Sequence, residues 1–180
     1  MRRLLIPPVL LLTVACGSSR LGRREAESDI RKDYPVRVAI RVPESASAIK
    51  GSPEHARLVK MQEQLTRQGW FAVARTEEGD RERFAFKVLA QAPKDFRTVA
   101  KGIEIPAAEA EFLRATRMEP TRDGARVSYQ VRLSKPTPYF PAFQAITGAR
   151  IGDTKERHAT YRKEGRSWVL QDTDETFKKA

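Results

Sequence analysis

Cysteine and histidine are the scarcest chemistry-bearing residues of this chain: Cys16 is its one cysteine, and His55 and His158 are its two histidines among 180 residues. A lone cysteine closes no internal disulfide, and two distant histidines without a second thiol draw no zinc spacing. There is no phosphate-binding glycine loop, no dinucleotide fingerprint and no serine nucleophile elbow. Long apolar runs are missing too. The longest, Leu4 to Leu12, is interrupted by Pro7-Pro8 and falls well short of the roughly 20 residues that a membrane-spanning helix needs. The sequence therefore implies no cofactor and no metal, and it offers no familiar catalytic motif.

What the chain has in excess is positive charge: 34 lysines and arginines against 23 acids, a net +11. Such a balance favours anionic partners, whether envelope polysaccharide, lipid head groups or nucleic acid. The first residues decide among these. Arg2 and Arg3 form a positive leader, Leu4 to Leu12 an apolar core, and Thr13-Val14-Ala15-Cys16 a small-residue cleavage site. This stretch resembles a bacterial lipoprotein signal peptide with its lipobox, although Thr13 stands where that family most often has leucine. The resemblance implies that residues 1–15 are a signal peptide and that Cys16 carries the lipid, such as palmitate, that ties the protein to a membrane. Gly17 follows where aspartate commonly marks inner-membrane retention, so the resemblance favours the outer membrane of a two-membrane cell. An exported address makes nucleic acid an unexpected partner.

Residues 16–33 are small and polar, then densely charged in both signs, with Leu21, Ala26 and Ile30 isolated among them. They read as a flexible tether, with at most a short helix over 23–31. Residues 34–180 read as a single α+β domain. Val36, Val38, Ile40 and Val42 alternate with Arg37, Ala39 and Arg41, the period of a half-buried strand, and Pro43 stops it. Residues 44–51 read as a loop. Ser52-Pro53-Glu54 opens a helix that Gly69 ends, with Leu58, Met61 and Leu65 on one side. Strands are expected over 70–75, 84–88 and 103–105. The hairpin signal Asp123-Gly124 joins 112–118 to 125–133, because both joint residues tolerate positive φ. Tyr139, Phe140 and Phe143, among Pro136, Pro138 and Pro141, suggest a packed loop or short helix. A last hairpin joins 158–163 to 166–171 through Glu164-Gly165, and residues 172–180 read as a frayed end.

The sum is an α+β fold, one main amphipathic helix on a curved antiparallel sheet of about five to seven strands. This order of elements, ending in Gly165-Arg166-Ser167-Trp168-Val169-Leu170, resembles the cystatin-like and nuclear transport factor two-like cone folds. Such folds host enzymes, pocket binders and interaction modules alike. His55, in the first helical turn, reads as exposed. His158 could work as a base only if a carboxylate such as Asp153 or Glu104 met it in a pocket. The stronger feature is a sheet face bearing Arg37, Arg41, Arg126 and Arg132, joined by Arg114 or Arg117. Arginine forks there would bind the carboxylates or phosphates of an anionic partner. The reading is a membrane-anchored, non-catalytic interaction module for an envelope protein or anionic envelope component. The alternatives are a small-ligand binder on the concave face of the sheet, and an enzyme using His158.

Overall fold

The structure, a computed structural model, describes residues 20–174. The leader, Cys16 and Gly17 lie outside the described residues, as do residues 175–180. The architecture is α+β. A curled antiparallel sheet runs in the order β1 (Val36–Pro43), β6 (Gly102–Pro120), β7 (Gly124–Ser134), β8 (Thr154–Glu164), β9 (Ser167–Thr173), and the short β5 (Arg97–Val99) also pairs with β6. A smaller sheet has the order β2 (Ser45–Ile49), β4 (Arg81–Val88), β3 (Phe71–Glu78). The helices are α1 (Arg23–Arg31), α2 (Pro53–Arg67) and α3 (Phe140–Thr147).

Each half of the molecule has its own core. The curl of the main sheet closes on α1, whose Ala26 and Ile30 are fully buried among Phe112, Val127, Tyr129 and Tyr161. Residues 23–31 are thus a structural helix and not part of a flexible tether. The reason is the spacing of Ala26 and Ile30, four apart on one helical face, which suffices because the curl supplies the rest of the core. Polar contacts fix the helix as well. Pairing of β6 with β1 ends at Ala110 opposite Val36, and past that point α1 takes the place of a strand. The Ala115 N–H donates to Glu27 Oε1 at 2.9 Å, and Arg23 Nη1 donates to the Ala115 carbonyl at 2.7 Å. The Tyr161 hydroxyl donates to the Ala26 carbonyl at 3.1 Å. A sheet edge that would otherwise leave backbone groups unsatisfied is capped by helix side chains.

The other core lies between α2, α3 and the small sheet, with Leu58, Met61, Leu65, Phe71 and Phe84 nearly inaccessible. The start of α2 is as expected: the Ser52 hydroxyl accepts from the His55 N–H at 3.1 Å and Pro53 occupies the first turn. Residues 45–49, expected as loop, form β2 because their backbone completes the edge of β4, with Ala48 buried against the core. The expected short strand over 103–105 is the beginning of the 19-residue β6. Pro106 does not end it, because it sits opposite Ala39 at a register shift of β1, where a ladder bond is already interrupted. Tyr139 packs edge-to-face on Trp70 and Phe96, with centroids 5.4 and 5.3 Å away. The aromatic cluster after the prolines is therefore core packing.

Candidate functional site

The antiparallel registers place all four arginines singled out from the sequence on the outer face of the main sheet, each opposite a glutamate of β6. The pairs are Arg37 with Glu109, Arg41 with Glu104, Arg132 with Glu111 and Arg126 with Glu119. The ladder has more than one cation per acid, and the contacts differ. Arg41 Nε donates to Glu104 at 3.1 Å and Arg132 Nη2 to Glu111 at 3.3 Å. Glu109 is instead taken by Lys135 at 2.8 Å and Glu119 by Arg117 at 2.9 Å. Arg37 and Arg126 are left with no side-chain partner among the described residues. Arg97 on β5 also faces Glu104, which Arg41 already occupies.

Arg37 and Arg41 on β1 and Arg97 on β5 border one groove across β6. β1 ends the sheet, and no described strand pairs with its outer edge. The open groove, of about 1220 Å³, reaches from Val36 to Ala39 and Arg41 of β1 across Glu104, Pro106 and Ala110 of β6 to Arg97, Thr98 and Val99 of β5, and Arg157 also borders it. Acidic side chains border it too, but they are engaged. The Tyr139 hydroxyl donates to Asp95 at 2.7 Å, Glu104 accepts from Arg41, and Asp174 accepts the His158 N–H at 2.8 Å. Hydrogen bonding to the Asp95 carboxylate pushes the Tyr139 hydroxyl up to about 12. The groove thus adjoins β1, whose outer backbone edge no described strand pairs, and carries the guanidinium groups of Arg37 and Arg97, which make no ion pair among the described residues. Arg126 and Arg132 lie two strands away on β7, outside this groove.

His158 meets neither Asp153 nor Glu104. Its Nδ1 lies 3.0 Å from Asp174 Oδ2, and its Nε2 lies 3.8 Å from Glu156, on the partly exposed outer face opposite Ser128. Asp153 accepts the Arg150 N–H and caps a turn. Among the described residues no group of three histidine, cysteine or acidic side chains is arranged to hold a metal ion.

The structure also corrects the reading of His55 as exposed. Its Nε2 lies 2.7 Å from Glu82 Oε2, and Arg75 forks onto both oxygens of the same carboxylate at 2.7 and 2.6 Å. Glu82 is 6% exposed and stands in the buried row of β4 with Phe84 and Phe86, while His55 lies three positions before Leu58 on the apolar stripe of α2. Those two spacings were the available signal for an inward-facing acid and its partner. The cluster ties the first turn of α2 to β3 and β4. Hydrogen bonds from Arg75, then from His55, lower the Glu82 pKa from 4.5 to about 2. A carboxylate depressed on folding stabilises the protein above its unfolded pKa, and that stability is lost as pH falls through the folded value. Stability should therefore drop between about pH 4.5 and 2, and Glu82→Gln should flatten the drop while lowering stability at neutral pH. Urea midpoints measured across that range would show it; parallel curves for the two proteins would assign the acid sensitivity elsewhere.

Comparison with protein-family models, with curated proteins and with solved structures returns no match. Function must be read from the surface itself.

Proposed function

We propose that this is a lipid-anchored envelope protein whose α+β domain is a non-catalytic interaction module, capturing an extended acidic segment of a partner protein along the outer edge of β1. The observation that carries the reading is a combination: the unpaired outer backbone of β1, which bears Arg37, and a groove from β1 across β6 to Arg97 whose acids already have partners. An added strand gains main-chain hydrogen bonds, and side chains alternating along it select for charge. Arginines at an edge also repel a second copy of the same edge, so the surface disfavours self-association while it attracts acids. The lipobox at residues 13–16 supports the anchored address, with Gly17 favouring the outer membrane. The concave-face ligand reading is weaker, because α1 fills the curl where a ligand would sit.

The test is photo-crosslinking from position 39 of the full-length protein in intact envelopes, with the crosslinked peptide identified by mass spectrometry. An Asp/Glu-rich extended segment is expected, and Arg37→Glu with Arg97→Glu should reduce its yield at least about tenfold, as opposed charges become like charges. The same reversal at Arg126 and Arg132 should leave the yield near wild type. A neutral or basic segment, or a yield indifferent to Arg37 and Arg97, would refute the edge assignment.

A further inference from the structure

A second cavity, of about 720 Å³, lies at the end of the main sheet where the described chain starts. It is bounded by Arg20 and Leu21, by the β6–β7 turn at 121–123, and by Arg162, Lys163 and Trp168 of the β8–β9 pair. Its apolar part is Leu21, Met118 and Trp168, which pack against the core that holds α1. Its rim carries Arg20, Arg122, Arg162 and Lys163, against the acids Glu119 and Asp123. Glu119 is already paired with Arg117 at 2.9 Å, and the Lys163 ammonium sits 5.9 Å from the Trp168 ring centre. An amphipathic tryptophan amid cations matches the boundary between lipid head groups and acyl chains.

Position in the chain points the same way. Arg20 follows Cys16 by four residues, and an extended chain of that length reaches only about 14 Å. A lipid on Cys16 would hold this end of the sheet, and no other, within reach of the bilayer. We infer that this end is a membrane-docking surface: Arg20, Arg122, Arg162 and Lys163 bind anionic phospholipid head groups while Trp168 enters the interface. The inference rests on the lipid-anchor reading proposed above and extends it, because a tethered domain becomes an oriented one. α1 runs away from this end, so its nine residues set the groove beside Asp33 and Val36 roughly 14 Å farther from the membrane, at 1.5 Å per residue. The partner-binding edge would then face outward into the compartment. Anchor and basic surface are two signals that reinforce one another.

The test uses lipidated full-length protein reconstituted into vesicles of phosphatidylethanolamine and phosphatidylglycerol containing brominated lipid. Trp168 fluorescence should be quenched, whereas Trp70, read in a Trp168→Phe variant, should not be. Exchanging phosphatidylglycerol for phosphatidylcholine, or introducing Arg122→Glu with Arg162→Glu, should reduce Trp168 quenching at least about fivefold while the protein still floats with the vesicles. Anchored protein whose Trp168 stays unquenched on anionic vesicles overturns the docking surface and leaves the anchor standing. Failure to lipidate overturns the anchor alone, and the Cys16→Ala chain mixed with the same vesicles then decides the surface. Trp168 quenching that depends on Arg122 and Arg162 sustains it, and its absence overturns it. Quenching abolished by inorganic phosphate at unchanged ionic strength would mark a free-phosphate site and overturn bilayer docking.

Discussion

Ile30→Ala is expected to destabilise the domain by about 3 kcal/mol, the range for removing a large buried aliphatic side chain whose cavity cannot collapse. Ile30 is fully buried although it lies in a segment whose composition is that of a linker. Around it the curl of β6, β7 and β8 contributes Phe112, Tyr129 and Tyr161. These are strand residues held by their own ladders, so the sheet cannot close over the missing atoms. The same segment holds backbone groups at Ala115 through Arg23 and Glu27, and loosening α1 exposes them. Arg24→Ala, at an exposed position on the same helix, should change stability by no more than about 0.5 kcal/mol. Urea unfolding followed by tryptophan fluorescence checks both variants. Equal midpoints for wild type and Ile30→Ala would make residues 23–31 a tether after all.

The stretch around Ile30 illustrates which features of this fold were legible in the sequence. Val36 to Val42, Leu58 to Leu65 and Ala125 to Leu133 each bury one face, the first of them across both cores, so their apolar period states both type and orientation. The helix α1 does not, because two apolar positions make a buried face only when a curled sheet surrounds them. Likewise β2 has little side-chain signal; it is a strand because β4 has an edge to complete. The arginines were legible as an outer face, and the alternation placed them correctly. Their selectivity was not, since it depends on which β6 glutamate each one meets and on Lys135 and Arg117 reaching Glu109 and Glu119 first. Register is non-local information. It distinguishes Arg37, which borders the groove, from Arg132, which is paired with Glu111.

The two proposed surfaces also bear on each other. A groove bordered by β1 and by Arg37 and Arg97 would attract any anionic surface, lipid included, if the domain could tumble freely on its anchor. An end of the sheet that docks through Trp168 and its neighbouring cations removes that competition by orientation. Partner capture at β1 should therefore weaken when Arg122 and Arg162 are reversed, even though neither residue borders the groove, as the freed domain can turn Arg37 and Arg97 toward lipid.

Gly124→Ala is expected to disrupt the main sheet severely, costing at least about 3 kcal/mol. Asp123-Gly124 signals a hairpin through its tolerance of positive φ, and the hairpin is present, closed by the Thr121 N–H donating to the Gly124 carbonyl at 3.0 Å. Yet Gly124 is not among the residues of positive φ. What demands glycine there is the neighbouring strand: a Cβ would stand 1.9 Å from the Tyr161 carbonyl oxygen and 3.0 Å from its carbon. Both contacts are backbone, so no rotamer change relieves them, and β7 must separate from β8 where Ala125 and Tyr161 bury the end of the core. Gly79→Ala is the control, since Gly79 has φ +66° and open space around it and should cost only about 1 kcal/mol through backbone strain. If the two alanine variants unfold at the same urea concentration, the strands yield cheaply at Gly124. A much larger loss at Gly124 would also predict weaker membrane docking, because the separation occurs in the wall of the cavity that Arg122, Arg162 and Trp168 line.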